Sequence, residues 1–263
     1  MILSPTESER PAGKSATRTG RQRPARRWGK AGYVALFIIL ALTAVQCIRL
    51  GMAGLLVQTA QFEVDRWTPA SRTPGVAEIS RTAKYLTESL GYTPDNPWAL
   101  EGVGALDLAK MRASRIPRQA HAAARDAHAR FRQALLQRPT SPFLWANLAL
   151  TKLYLDEIDD ELLTALRHAD ELGPWEPSVQ QTTLFVGLSV WRDLDPDLRQ
   201  ALARTVERGS SRNAKKMFEI VKSYTRFDLI CAIEKYQPIA GADCRKAAET
   251  AKPGAPIDKG YRQ

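Results

Sequence analysis

The chain has 263 residues and a mass of 29.2 kDa, with 38 lysines and arginines against 28 acidic residues and a formal charge of +10. That length allows one or two domains, and three cysteines exclude a disulfide-dense scaffold and any four-cysteine zinc module. The charge is uneven: residues 1–31 hold eight basic and two acidic side chains, residues 32–209 hold 19 and 20, and residues 210–263 hold 11 and 6. Most of the basic excess is therefore an N-terminal arm, and the high isoelectric point does not require a nucleic-acid-binding body.

Residues 1–30 scatter Pro and Gly among basic side chains without periodicity and read as a disordered cytoplasmic arm suited to anionic lipid headgroups. Gly13-Lys14-Ser15 lacks the earlier glycine and the preceding strand of a phosphate loop. Residues 32–48 then run for 17 positions without a charge, and apolar character resumes after Arg49 as far as Val57. A bilayer core of about 30 Å takes roughly 20 helical residues. Placing the span at 31–50 leaves Arg49 at an interface, where its stem can snorkel. Sliding it to 38–57 puts Arg49 in mid-membrane at about 2.5–3.5 kcal/mol. The first register is favoured within an anchor region of 31–57.

Eight basic residues precede the span, and Arg66 and Arg72 are the two that follow in the next stretch. The positive-inside rule therefore keeps the N-terminus cytoplasmic and sends the C-terminus outward, into the periplasm of a bacterial inner membrane. The long pre-hydrophobic region and the absence of a clear small-x-small cleavage site point to an uncleaved, single-pass signal anchor. Residues 58–73 read as a polar linker.

From residue 74 to 250 the chain reads as all-helical, followed by a flexible tail at 251–263. A leading helix is expected at 74–89. Three helices start alike, at Asn96-Pro97-Trp98, Ser141-Pro142-Phe143 and Glu176-Pro177-Ser178, with proline at the first helical position and Asn96 and Ser141 as caps. Their spacings of 45 and 35 residues are near those of paired-helix repeats. Second helices are expected at 119–137, 161–172 and 196–208, each with one apolar stripe: Ala124, Ala127 and Phe131; Leu162, Leu166 and Ala169; Leu198, Leu202 and Val206. The helix after Pro142 is apolar nearly all round and should be buried on several sides. A long closing helix or helix pair is expected over 213–235. No period-2 strand is evident.

No HExxH, GxSxG or GxGxxG occurs. His121 and His128, seven residues apart, read as solvated rather than metal-binding. The run Asp156, Glu157, Asp159, Asp160, Glu161 reads as helix-start acids favoured by the helix dipole, not as a catalytic pair. Catalytic, cofactor and metal residues are accordingly expected to be none, and the chain is read as a non-enzyme. Cys47 falls in the apolar span. Cys231 and Cys244 are 13 positions apart in the exported part, where they either form a bridge contributing roughly 3 kcal/mol or remain buried thiols. Trp98, Trp145, Leu148, Trp175 and Trp191 are the repeat-core or groove candidates: interlocking core residues, or in one or two cases aromatic faces suited to sugar rings.

The strings Ala134-Leu135-Leu136 and Trp145-Ala146-Asn147-Leu148-Ala149 resemble the tetratricopeptide pattern. With Arg138-Pro139-Thr140-Ser141-Pro142 and Leu172-Gly173-Pro174-Trp175-Glu176-Pro177, residues 95–210 resemble VpsP-type accessory proteins of bacterial exopolysaccharide clusters, and also the helical-repeat tails of O-antigen ligase and polymerase-like proteins. The resemblance implies a tetratricopeptide-like α-hairpin solenoid behind a single transmembrane helix, acting as a scaffold in polysaccharide polymerisation or export. It implies no cofactor. The expected partners are membrane or periplasmic proteins of polysaccharide assembly and the lipid bilayer, with weak contact to anionic polysaccharide and none to nucleic acid. A repeat-built assembly factor for cytochrome maturation, pili or division, or less readily a polysaccharide-processing enzyme, would share the architecture.

Overall fold

The computed structural model describes residues 29–67 and 76–250. The expected arm up to residue 28, the connector at 68–73 and the tail from residue 251 lie outside the described residues. Contacts divide the chain into a unit ending at Val45 and a larger unit beginning at Gln46. Among the described residues every regular element is helical.

Helix α1 (Lys30–Trp67) has 38 residues and, at about 1.5 Å each, is far longer than a bilayer core requires. Its two parts differ in burial. Tyr33, Phe37, Ile38, Leu42, Val45 and Ile48 are exposed, whereas Ala53, Val57 and Ala60 are buried. These last three pack against α2 (Val76–Tyr92) and α3 (Pro97–Ala113) through Leu86, Ala99 and Leu106. The Ser89 hydroxyl donates to the Ala53 carbonyl at 2.9 Å. Arg49 donates to the Tyr92 carbonyl at 2.9 Å, a cation at the end of α2 where unpaired carbonyls collect. The polar linker expected from residue 58 is thus corrected: the chain stays helical through Trp67, because small residues at 53 and 60 let α1 lie close to the next helices.

The succeeding helices are α4 (Pro117–Gln137), α5 (Pro142–Tyr154), α6 (Asp160–Leu172), α7 (Pro177–Ser189) and α8 (Pro196–Gly209). Helices α3 and α4, α5 and α6, and α7 and α8 pack as successive pairs, and α5 and α7 also pack on each other. Short loops require each pair to be antiparallel. Five of these six helices begin with proline, whose fixed φ suits the first turn and whose missing N–H is no loss there. Asn96, Asp159 and Asp195 cap the following backbone N–H groups. Ser141, expected to do the same, makes no cap bond; its hydroxyl accepts from the Arg138 guanidinium instead, at 3.4 Å.

One corner is built three times. Pro94-Asp95-Asn96-Pro97, Pro139-Thr140-Ser141-Pro142 and Pro174-Trp175-Glu176-Pro177 each carry the same turn, with Asn96 N–H donating to Thr93, Ser141 to Arg138 and Glu176 to Gly173. Trp145 Nε1 donates back to the Pro139 carbonyl at 2.7 Å, and 35 residues on Gln180 Nε2 donates to the Pro174 carbonyl at 2.8 Å.

The core joins these pairs. Helix α5 is buried at Leu144, Ala146 and Leu148 through Lys152, as its all-round apolar pattern requires. Phe131 of α4 is fully buried and lies against Gly104 of α3, where an added Cβ would stand 2.8 Å from its ring. Gly187 of α7 likewise admits Leu202 of α8, whose methyl carbon would lie 2.4 Å from a Cβ there.

The long closing helix or helix pair expected over 213–235 is reduced to one short helix followed by 3-10 turns, and the next α-helix starts only at Gln237. Helix α9 (Ala214–Ser223) ends at Tyr224, and Thr225 has φ 53°, a left-handed conformation that a β-branched residue adopts only when its surroundings impose it. Two short 3-10 turns, Phe227–Leu229 and Glu234–Tyr236, lead into α10 (Gln237–Thr250). The imposing contacts come from Arg226, which pairs with Asp228 at 2.7 and 2.8 Å and stacks 3.8 Å from the Trp191 ring centroid. Tyr236, fully buried, donates to the Val206 carbonyl at 2.8 Å; its burial pushes the phenol pKa well up. A second apolar cluster around Met217, Phe218, Val221 and Ile230 is completed by Leu184, Leu188 and Val206.

Candidate binding site

The tryptophans do not converge. Trp145 is partly buried beside the main core, with its ring centroid 4.6 Å from that of His168. Leu148 is 2% exposed. Trp191 packs against both apolar clusters, and the guanidinium groups of Arg226 and Arg199 lie 3.8 and 5.6 Å from its ring centroid. These three are structural. Trp98 is 51% exposed, but Arg138 stacks on its ring at 3.5 Å and is held there by Glu101 at 2.8 Å. Trp175 is 63% exposed, and among the described residues no cation lies over it.

Trp175 instead borders a cavity of about 200 Å³, together with Gln180, Arg208, Ser211 and Arg212. The corner before α7 supplies Trp175, the first turn of α7 supplies Gln180, and the end of α8 with the loop after it supplies the rest. Arg208 is fixed by an ion pair to Asp170 of α6 and by a 3.0 Å bond to the Thr205 hydroxyl, while Thr205 itself donates to Asp170 at 2.5 Å. Arg208 Nε–H is buried without a hydrogen-bond partner among the described residues. Gln180 is 4% exposed, and the Ser211 hydroxyl donates to the Arg208 carbonyl.

Sequence reasoning singled out Trp175 and missed the other four. The recurring Pro-x-x-Pro corner was the available signal, since it aligns Gln180 with Trp145 and marks where a bulky core indole gives way to a smaller polar group. Another depression, of about 350 Å³, is lined by Arg118, His121, Ala122, Arg125 and Asp126, all from α4. No second element brings groups toward them among its lining residues.

The acidic run plays two parts. Asp156 turns the chain at φ 57°, a conformation Asp tolerates, and Asp159 caps α6 through the Leu162 N–H. Beyond that, Glu157, Asp159 and Glu161 surround Lys152, whose side chain is 5% exposed, at 2.5, 2.6 and 3.6 Å. Burial pulls the Lys152 ammonium down, but its hydrogen bonds to Asp159 and Glu157 outweigh that and leave it raised. Burial likewise pushes Asp159 up, and bonds from Lys152 and the Leu162 N–H bring it below the usual carboxylate range. The ring of His128 corrects the solvated reading: its side chain is 17% exposed, and Nε2 sits 3.4 Å from Glu161 without making a hydrogen bond among the described residues. His121 stays on the surface beside Arg125.

Cys231 and Cys244 are joined by a disulfide, with Cα atoms 5.6 Å apart, tying the turns after α9 to α10. Cys47 is a free, exposed thiol on α1. Among the described residues no three His, Cys, Asp or Glu side chains are grouped to hold a metal ion. The chain matches no protein-family model, no curated protein and no solved structure.

Proposed function

We propose that the chain is a non-catalytic scaffold of the bacterial inner membrane, anchored by the first part of α1 and presenting a tetratricopeptide-like stack of α-hairpins in the periplasm. The Cys231–Cys244 bond carries this reading, because disulfides persist in oxidising compartments. It lies C-terminal to the helix that is long and apolar enough to cross a membrane, which eight basic residues precede. The packing of Ala53, Val57 and Ala60 against α2 and α3 supports the 31–50 register, since side chains covered by protein do not face lipid. The threefold corner and the successive helix pairs support the repeat reading.

The assignment to exopolysaccharide polymerisation or export rests on the resemblance of residues 95–210. Two experiments test the proposal. Alkaline phosphatase fused after Gln263 is expected to be active, and an inactive fusion overturns the topology. Deletion is expected to abolish or shorten the secreted polymer, with crosslinking from intact membranes retaining a polysaccharide-assembly protein; normal polymer overturns the polysaccharide role.

A further inference from the structure

We infer that the pocket framed by Trp175, Gln180, Arg208, Ser211 and Arg212 binds one acidic sugar residue of a glycan, its ring against the Trp175 indole and its carboxylate held by the two guanidinium groups. This deepens the polysaccharide reading above and rests on it for the source of the sugar.

Trp98 provides the contrast. There a guanidinium already occupies the aromatic face and a carboxylate already satisfies the guanidinium. At Trp175 the face is open, with the indole 63% exposed, and although Arg208 is paired with Asp170, Arg212 is exposed and makes no ion pair among the described residues. An aromatic face left open beside an unpaired cation fits a ligand with both a C–H-bearing ring face and an anionic group. A pyranose uronate has both. Arginine's planar fork matches a carboxylate in two parallel bonds, which favours a carboxylate on a ring substituent.

The remaining groups fit the hydroxyls of such a ring. Gln180 is held in place by its bond to the Pro174 carbonyl, so its carboxamide is presented without loss of side-chain freedom on binding. The Ser211 hydroxyl spends its proton on the Arg208 carbonyl and keeps lone pairs for a sugar O–H. Arg208 is positioned by Asp170 and Thr205, and its Nε–H is buried without a partner among the described residues. The volume of about 200 Å³ is smaller than the 300–1,000 Å³ typical of drug-sized ligands, so the pocket suits one ring of a chain that continues into solvent.

The test uses the full-length protein in lipid nanodiscs, titrated calorimetrically with a galacturonate trisaccharide, with the neutral trisaccharide maltotriose and with inorganic phosphate. The uronate is expected to bind saturably and at least about tenfold more tightly than either of the others. Arg212→Ala and Trp175→Ala, both at exposed positions, are each expected to weaken it by about tenfold or more, and Trp175→Phe by no more than roughly threefold, with the melting temperature unchanged. The inference is overturned by absence of saturable uronate binding up to about 10 mM. Phosphate binding as tightly, which would mark a simple anion site, overturns it too, as does uronate binding that survives both alanine variants. Failure here leaves the polymer phenotype of the deletion untouched, and normal polymer in the deletion strain leaves uronate binding in nanodiscs untouched, so the two proposals fail separately.

Discussion

The helix pairs α3 to α8 and the closing segment from α9 to α10 are held together by different means. In the pairs, large side chains sink into glycine-made gaps and each corner repeats the last: Phe131 fills the space over Gly104, and Leu202 fills that over Gly187. Stability there is spread over many contacts. The closing segment sets two short 3-10 turns between α9 and α10 and carries a left-handed Thr225; it docks through Tyr236, Ile230 and Met217 on Leu184, Leu188 and Val206 and is closed by one covalent bond. Distributed packing makes the first region depend on shape. The second depends on a staple.

The largest expected effect breaks the first region. Phe131→Ala opens a cavity between α3 and α4 that neither helix can collapse into, and should cost about 3–5 kcal/mol. Its sign is a lower melting temperature of the whole helical unit, with one transition. Cys244→Ser comes next. Releasing a loop of this size should cost about 3 kcal/mol on the chain-entropy estimate, and its effect should be local. Amide exchange is expected to quicken over 227–250 while 97–209 keeps its protection. Equal loss of protection in both regions would refute the contrast.

A smaller effect carries a pH signature. Lys152→Met leaves Glu157, Asp159 and Glu161 facing one another without their cation, at about 1–3 kcal/mol near pH 7; the partly exposed carboxylates keep the figure below that of a fully buried pair. Asp159 is lowered in the folded state, so its contribution is present above the unfolded value and fades as pH falls below about 4. Lys152 is raised, so its contribution is present below its unfolded value and fades as pH rises above about 10. The stability gap between wild type and variant should therefore be flat from about pH 5 to 9 and shrink on both sides. A gap that does not move with acid would show that the carboxylates do not pair with Lys152.

What could be read from the sequence follows the same division. Helix starts at Pro97, Pro142 and Pro177, and the all-round burial of α5, depend on chemistry within a few residues, and the structure places them where the sequence does. The closing segment differs from its sequence pattern because α9 has good helical periodicity up to Ser223, while the turn at Thr225 depends on the Arg226–Asp228 pair and on a tryptophan 35 residues before Arg226. The surroundings of His128 and Lys152 were hidden for a related reason, since their carboxylates come from the loop after α5 and from the start of α6. The pocket beside Trp175 joins residues up to 37 positions apart, and only the recurring corner hints at it.

The smallest expected effect sharpens the comparison from within the first region. If shape governs the helix pairs, an ion pair on one of their corners should contribute little. Arg138 is paired with Glu101 and stacked on Trp98, with both charged side chains 23% exposed. Partial exposure screens the pair, and the stacking adds a modest share, so Arg138→Gln should cost about 1 kcal/mol. Removing the guanidinium also uncovers the Trp98 ring, so acrylamide quenching of tryptophan fluorescence should increase in this variant. Arg212→Ala should leave quenching nearly unchanged, because the Trp175 ring is already open. A loss above about 3 kcal/mol in Arg138→Gln would mean that the first corner is locked by its charges, and the two regions would then differ less than their packing implies.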